Sequence, residues 1–162
     1  MKEIFILRHA KSSWDNINLS DFERPLAKRG INDANIMCDY LSKNSFSVDK
    51  VLCSNATRTK ETFDIISDGI KFKISDARYT DDLYFKGIDK ILSYLRSIDE
   101  ETKSILIIGH NPTLHFLIET LTKEHIHKFA TCNMAIINFN NNWKNLREGE
   151  CKLELVIRPK EI

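Results

Sequence analysis

Ile4-Phe5-Ile6-Leu7-Arg8-His9 decides the fold: four apolar residues follow one another without alternation and stop abruptly at an arginine and a histidine. A strand with one wet face alternates apolar and polar side chains. A strand buried on both faces reads as an unbroken apolar run, the mark of a parallel sheet covered by helices. Ser104 to Gly109 repeats the pattern and also ends at a histidine, His110. Val51-Leu52-Cys53 is a weaker strand of the same kind, running into the polar segment Ser54-Asn55-Ala56-Thr57-Arg58.

Outward from these runs, the apolar spacing changes to that of helices. Ile31, Ala34, Met37, Cys38 and Leu41 fall on one helical face, as do Ile88, Ile91, Leu92 and Leu95. Leu114, Leu117, Ile118 and Leu121 mark a further inner face, with Asn111 placed to cap that helix and Pro112 to begin it. Strand and helix therefore alternate, as in α/β folds. The last quarter departs from this: Met134 to Phe139 and Leu153 to Ile157 are strand-like and joined by polar residues 140–150, which predicts a hairpin at a sheet edge. No repeat, low-complexity tract or Gly/Ser linker divides the 162 residues, so the expectation is one domain over 1–162.

Composition narrows the function. The 24 Lys and Arg against 23 Asp and Glu leave a formal charge of +1, so no global basic field exists to hold nucleic acid. Ile4 to Leu7 is too short for a signal peptide or a membrane span, and Cys38, Cys53, Cys132 and Cys151 contain no CxxC pair. Free thiols in a reducing cytoplasm, no membrane and a monomeric chain are the expectations. His125 and His127 alternate as on an exposed strand or loop; with no HExxH and no carboxylate cluster, the sequence calls for neither metal nor cofactor.

In open α/β sheets, ligands sit beyond the carboxyl ends of the strands. Those ends carry Arg8-His9, Ser54 to Arg58, and His110-Asn111. Arg58 falls in the first turn of a helix that Ser54 or Asn55 would cap, where the helix dipole disfavours a cation unless an anion joins it. Two guanidinium forks suit tetrahedral phosphate oxygens, and a histidine beside them can attack phosphorus if its second ring nitrogen is held. Taken singly, each residue has a duller reading as a cap or a solvated side chain. Three strand ends carrying His, Arg and His make coincidence harder to sustain.

The stretch "LRHAKSSW" at 7–14 resembles the RHG signature of the histidine phosphatase superfamily, also called phosphoglycerate-mutase-like. The resemblance continues through "RPLAKRGINDA" at 24–34, "VLCSNATRTKET" at 51–62 and "ILIIGHNPTL" at 105–114, in the family's order. It implies a three-layer α/β/α sandwich whose mostly parallel central sheet has an antiparallel C-terminal edge. By the same resemblance, His9 is the residue that becomes phosphohistidine, and Arg8 and Arg58 clamp the phosphoryl group. His110 hydrogen-bonds the phosphoryl oxygens, helped by the backbone of Asn111. The short chain looks most like the SixA-type phosphohistidine phosphatases, implying an open groove and a phosphorylated protein as partner, a histidine phosphotransfer protein among the candidates. A small phosphorylated metabolite is the alternative substrate, and a phosphate-binding module without turnover is the alternative of another class.

Three positions depart from the family pattern. Ala10 replaces a glycine, Ser12 a threonine, and Asp15 an asparagine, which would put an extra anion near the pocket. Relatives that cleave alcohol esters also use a carboxylic acid after the third strand. Here only "YTDDLYF" at 79–85 offers one, in Asp81 or Asp82, whose joint removal is expected to slow ester hydrolysis more than phosphohistidine hydrolysis.

Overall fold

A computed structural model describes residues 1–162. Six strands and four α-helices follow in the order β1 Lys2–Arg8, α1 Lys28–Lys43, β2 Lys50–Ser54, α2 Thr57–Ile66, β3 Arg78–Thr80, α3 Asp89–Arg96, β4 Ser104–Gly109, α4 Thr113–Thr122, β5 Met134–Phe139 and β6 Lys152–Ile157. All strands join one sheet in the order β3-β2-β4-β1-β5-β6. The β3–β2, β2–β4 and β4–β1 pairs are parallel, whereas β1–β5 and β5–β6 are antiparallel.

The unbroken apolar runs are buried on both faces, as their pattern requires. Ile4 and Ile6 join Ile105, Ile107 and the α3 and α4 side chains in one core; Phe5 and Leu7 join Leu106, Ile108 and the α1 and α2 side chains in the other. Helices on both faces of one sheet make the three layers. The late hairpin lies at the edge expected of it, β5 being buried along its whole length and β6 exposed at three of its six residues. No helix is long and apolar enough to cross a membrane.

Three local expectations differ. Ile31 is 43% exposed, because the buried stripe of α1 runs through Gly30, Ala34, Met37 and Leu41. A glycine presents no apolar side chain, so periodicity alone places the stripe's first turn one residue too late. Helix α2 is flanked by Ala56 rather than capped by Ser54 or Asn55; Ser54 Oγ accepts from the Ala56 N–H, and Asn55 turns away to Asp81. Helix α4 begins at Thr113, with Pro112 just before it in helical conformation, and Asn111 Oδ1 accepts from the His115 N–H one turn on.

The sheet order matters most for function. Strand β4 enters between β1 and β2, so three carboxyl ends distant in sequence become neighbours, each about 4.8 Å from the next.

Candidate active site

At those three ends lies a cavity of about 260 Å³ that Arg8, His9, Arg58, His110 and Asn111 line together. His9 follows β1 and is 7% exposed; its Nδ1 lies 2.7 Å from the Ala10 carbonyl. A carbonyl oxygen only accepts, so Nδ1 carries the proton and Nε2 keeps its lone pair. Arg58 Nε donates to that Nε2 at 3.4 Å. Burial pushes the His9 pKa down to about 3, helped by Arg58, Arg8 and Arg24 and opposed by the Ala10 hydrogen bond. His9 is thus neutral at physiological pH, with its Nε2 lone pair oriented as a nitrogen nucleophile requires.

His110 is fully buried; its Nε2 lies 2.9 Å from Ser54 Oγ, and its Nδ1 has no protein partner. Burial lowers its pKa to about 3, with His9, Arg58 and Arg8 adding to the effect and Asp21 opposing it. Arg8 Nη1 donates to the Phe129 carbonyl, which also accepts from Asn111 Nδ2, while Arg8 Nε is buried without a partner. The pKa of Arg8 is lowered by burial and then by Arg58, a repulsion between like charges that a shared anion would relieve. Buried nitrogens without a protein partner at two of the lining residues leave polar contacts for a ligand to complete, the Arg8 Nε–H as a donor to an acceptor oxygen.

Loops add residues that the sequence reading did not single out. Asp21, in a turn before α1, accepts from Arg58 Nη2 at 3.0 Å through its carboxylate and from Arg58 Nη1 at 2.7 Å through its backbone carbonyl. It also accepts from Arg24 Nη1 and from the Tyr84 hydroxyl. Desolvation raises the Asp21 pKa, but the hydrogen bonds from Tyr84, Arg24 and Arg58 outweigh it and hold the carboxyl at about 2. Tyr84 and Phe85 pack on the His110 ring at centroid distances of 5.3 Å each, and half-exposed Phe85 lines the cavity. Arg24 lies 3.3 Å from the centroid of exposed Trp14 and donates to Ser12 Oγ, so both it and Ser12 stand in the wall.

The segment at 79–85 therefore delivers the Phe85 ring to the cavity and the Tyr84 ring to His110, whereas its carboxylates lie elsewhere. Asp81 accepts from Asn55 Nδ2, Asp82 pairs with Lys90, and neither lines the cavity. Asp15 is exposed and also stands outside the lining. His125 lies in an exposed loop and pairs with Glu119.

Comparisons with known proteins bear on the family and the fold. A model of the histidine phosphatase superfamily (branch 1) matches residues 4–83. An uncharacterized protein of Mycobacterium leprae is 32% identical over 159 residues, spanning 91% of this chain and 96% of that protein. Phosphohistidine phosphatase SixA of Escherichia coli is 26% identical over 159 residues, spanning 94% of this chain and 97% of SixA. Among solved structures, the protein histidine phosphatase SixA complexed with tungstate superposes with a TM-score of 0.85 at 23% identity, covering 98% of each chain. A mycobacterial glucosyl-3-phosphoglycerate phosphatase gives a TM-score of 0.67 at 11% identity, covering 96% of this chain and 98% of that one. At those identities the two superpositions speak for the fold alone. Sequence and fold together define a phosphatase built on a covered α/β sheet. The chain belongs to the histidine phosphatase superfamily, in its SixA-type branch.

Proposed function

We propose that this phosphatase removes the phosphoryl group from phosphohistidine on a protein, passing it through its own His9. The observation that carries the reading is the acid inventory of the cavity: Asp21 is the sole carboxylate in its wall, and it is held ionised with a pKa of about 2. An alkoxide leaving from a sugar or serine phosphate is a strong base that needs a proton in the transition state, and an ionised Asp21 has none to give. A phosphohistidine protonated on its other ring nitrogen leaves as neutral imidazole, whose conjugate acid has a pKa of about 6.5.

The His9 Nε2 lone pair attacks phosphorus in line as the substrate P–N bond breaks, and the electron pair departs with the substrate imidazole. Arg8 and Arg58 meet the charge on the equatorial oxygens. With Ser54 donating its hydroxyl to His110 Nε2, His110 Nδ1 keeps its proton and is free to donate to a phosphoryl oxygen. Water then attacks the phosphoenzyme, the new P–N bond breaks back toward His9 Nε2, and the two water protons leave with phosphate. The four free cysteines support a reducing compartment, and hence the cytoplasm, as the place of action.

The test sets a phosphohistidine-bearing phosphotransfer domain beside an aryl phosphate and a panel of alkyl phosphates. Phosphoprotein and aryl ester are expected to turn over, with alkyl esters slower by about 100-fold or more for want of the acid. Labelled phosphoryl should be trapped on the native chain and absent from His9→Ala. Alkyl esters cleaved as fast as phosphohistidine would refute the reading, and no trapped label would remove the covalent route.

A further inference from the structure

A second cavity, of about 370 Å³, adjoins the first, with Arg8, Lys11 and Thr131 in both walls. Its charge is far from that of the whole chain. Six cations line it: Arg8, Lys11, Arg29, Lys128, Arg158 and Lys160. Asp33 and Glu161 are the two carboxylates there, leaving a formal surplus of four on a chain whose total is +1; the remaining surface is therefore net acidic by three. Glu161 reaches only Arg158, at 4.0 Å, and no carboxylate lies within ion-pair distance of Lys11, Arg29, Lys128 or Lys160. Six cations against two carboxylates repel one another, and the internal packing does not require Arg29, Lys128 or Lys160, which are exposed.

We propose that this basic shelf docks an acidic surface of the phosphorylated partner protein, so that carboxylates flanking the phosphohistidine seat here while the phosphoryl group enters the first cavity. The inference rests on the phosphoprotein reading above and adds the surface by which the partner is chosen. The shelf draws its cations from the end of β1 and the loop after it, the start of α1, the segment before β5 and the C-terminal turn after β6. That spread suits a folded acidic face. Flexible lysine stems at a rim hold carboxylates as point charges, unlike the buried, committed donors of the phosphoryl cavity. Because Arg8 and Lys11 belong to both walls, an anion on the shelf lies directly beside the phosphoryl group.

The test is the triple variant Arg29→Glu/Lys128→Glu/Lys160→Glu, whose three positions are exposed and outside the phosphoryl cavity. It is compared with the native chain on an acidic phosphohistidine-bearing phosphotransfer domain, on phosphoramidate, a small P–N substrate with no second anion, and on a polyphosphorylated small molecule. For the protein substrate, kcat/KM is expected to fall about 10- to 100-fold, mostly through KM, and its decline with rising salt should flatten. Turnover of phosphoramidate should stay within about twofold of native. Unchanged kinetics on the protein substrate overturn the docking surface while leaving the phosphohistidine reading intact. A native chain that cleaves phosphoramidate but not the phosphoprotein overturns that reading and the surface with it. A variant impaired only on polyphosphorylated small molecules assigns the shelf to a compact polyanion and likewise overturns a protein dock.

Discussion

The chemistry of His9 follows from one hydrogen bond. With Nδ1 tied to the Ala10 carbonyl, the ring has one tautomer, and the lone pair we propose as nucleophile is fixed in space before substrate arrives. Arg58 is bound with similar economy: Nη1 and Nη2 are held by Asp21, and Nε faces His9 Nε2. Lysine in its place keeps the charge but loses the planar fork that Asp21 and His9 orient. Arg58→Lys is accordingly expected to lower kcat on phosphoramidate by about 100-fold or more, the scale of one lost transition-state donor, with circular dichroism unchanged. A lysine variant within threefold of native would show that charge alone suffices. Arg8-His9 and His110 are legible from sequence because each terminates an unbroken apolar run, and Arg58 because a polar segment follows the weaker strand at its side. Asp21, Tyr84 and Phe85 are not, since they sit on loops without periodicity whose approach to the cavity is set by tertiary closure. For the same reason the sequence directs attention to Asp81 and Asp82, two residues short of the aromatic pair that reaches His110.

At the scale of elements, helix α2 explains why several polar residues follow Arg58 so closely. One turn beyond Arg58, Glu61 accepts from the Leu26 N–H at 2.8 Å, and Thr62 Oγ1 accepts from the Ala10 N–H at 3.0 Å. A single helical face thus places a guanidinium, anchors the loop that bears Asp21 and Arg24, and holds the backbone next to His9. Helix α1 presses on the same loop from the other side. A Cβ added at Gly30 would overlap the Lys11 carbonyl oxygen, a backbone atom that cannot swing away. Alanine is the better helix former by about 1 kcal/mol, so propensity alone predicts that Gly30→Ala stabilises. The contact predicts the reverse. Moving either α1 or the loop after His9 should cost a net of about 1–3 kcal/mol in a urea melt and lower kcat as Lys11 and its neighbours shift. A Gly30→Ala chain as stable and as active as native would show that the helix gives way freely.

For the molecule as a whole, the site is a concentration of like charge and neutral imidazole kept inside a fold of almost no net charge, and acid is where that arrangement becomes costly. Two histidines with pKa values lowered to about 3 bind protons less readily folded than unfolded, where the ordinary value is about 6.5. Burial is the leading cause for both, and both rings are nearly or wholly enclosed. The sign follows directly: above pH about 6.5 neither state takes up these protons and stability is unaffected, whereas between about 6.5 and 3 the unfolded chain binds them and the folded chain does not. Stability is therefore lost as pH falls, by up to about 1.4 kcal/mol per pH unit for each histidine. Asp21 joins only lower down, because its depressed pKa of about 2 makes its contribution vanish below the ordinary carboxylate range, and partial exposure weakens it. Urea unfolding at pH 7, 6 and 5 should show this decline in the native chain and a flatter one in a His9→Gln/His110→Gln double variant, which has no buried imidazole to protonate. Parallel pH slopes for the two proteins would mean that water reaches both rings in the folded state, and the neutral nucleophile on which the in-line attack depends would lose its physical basis.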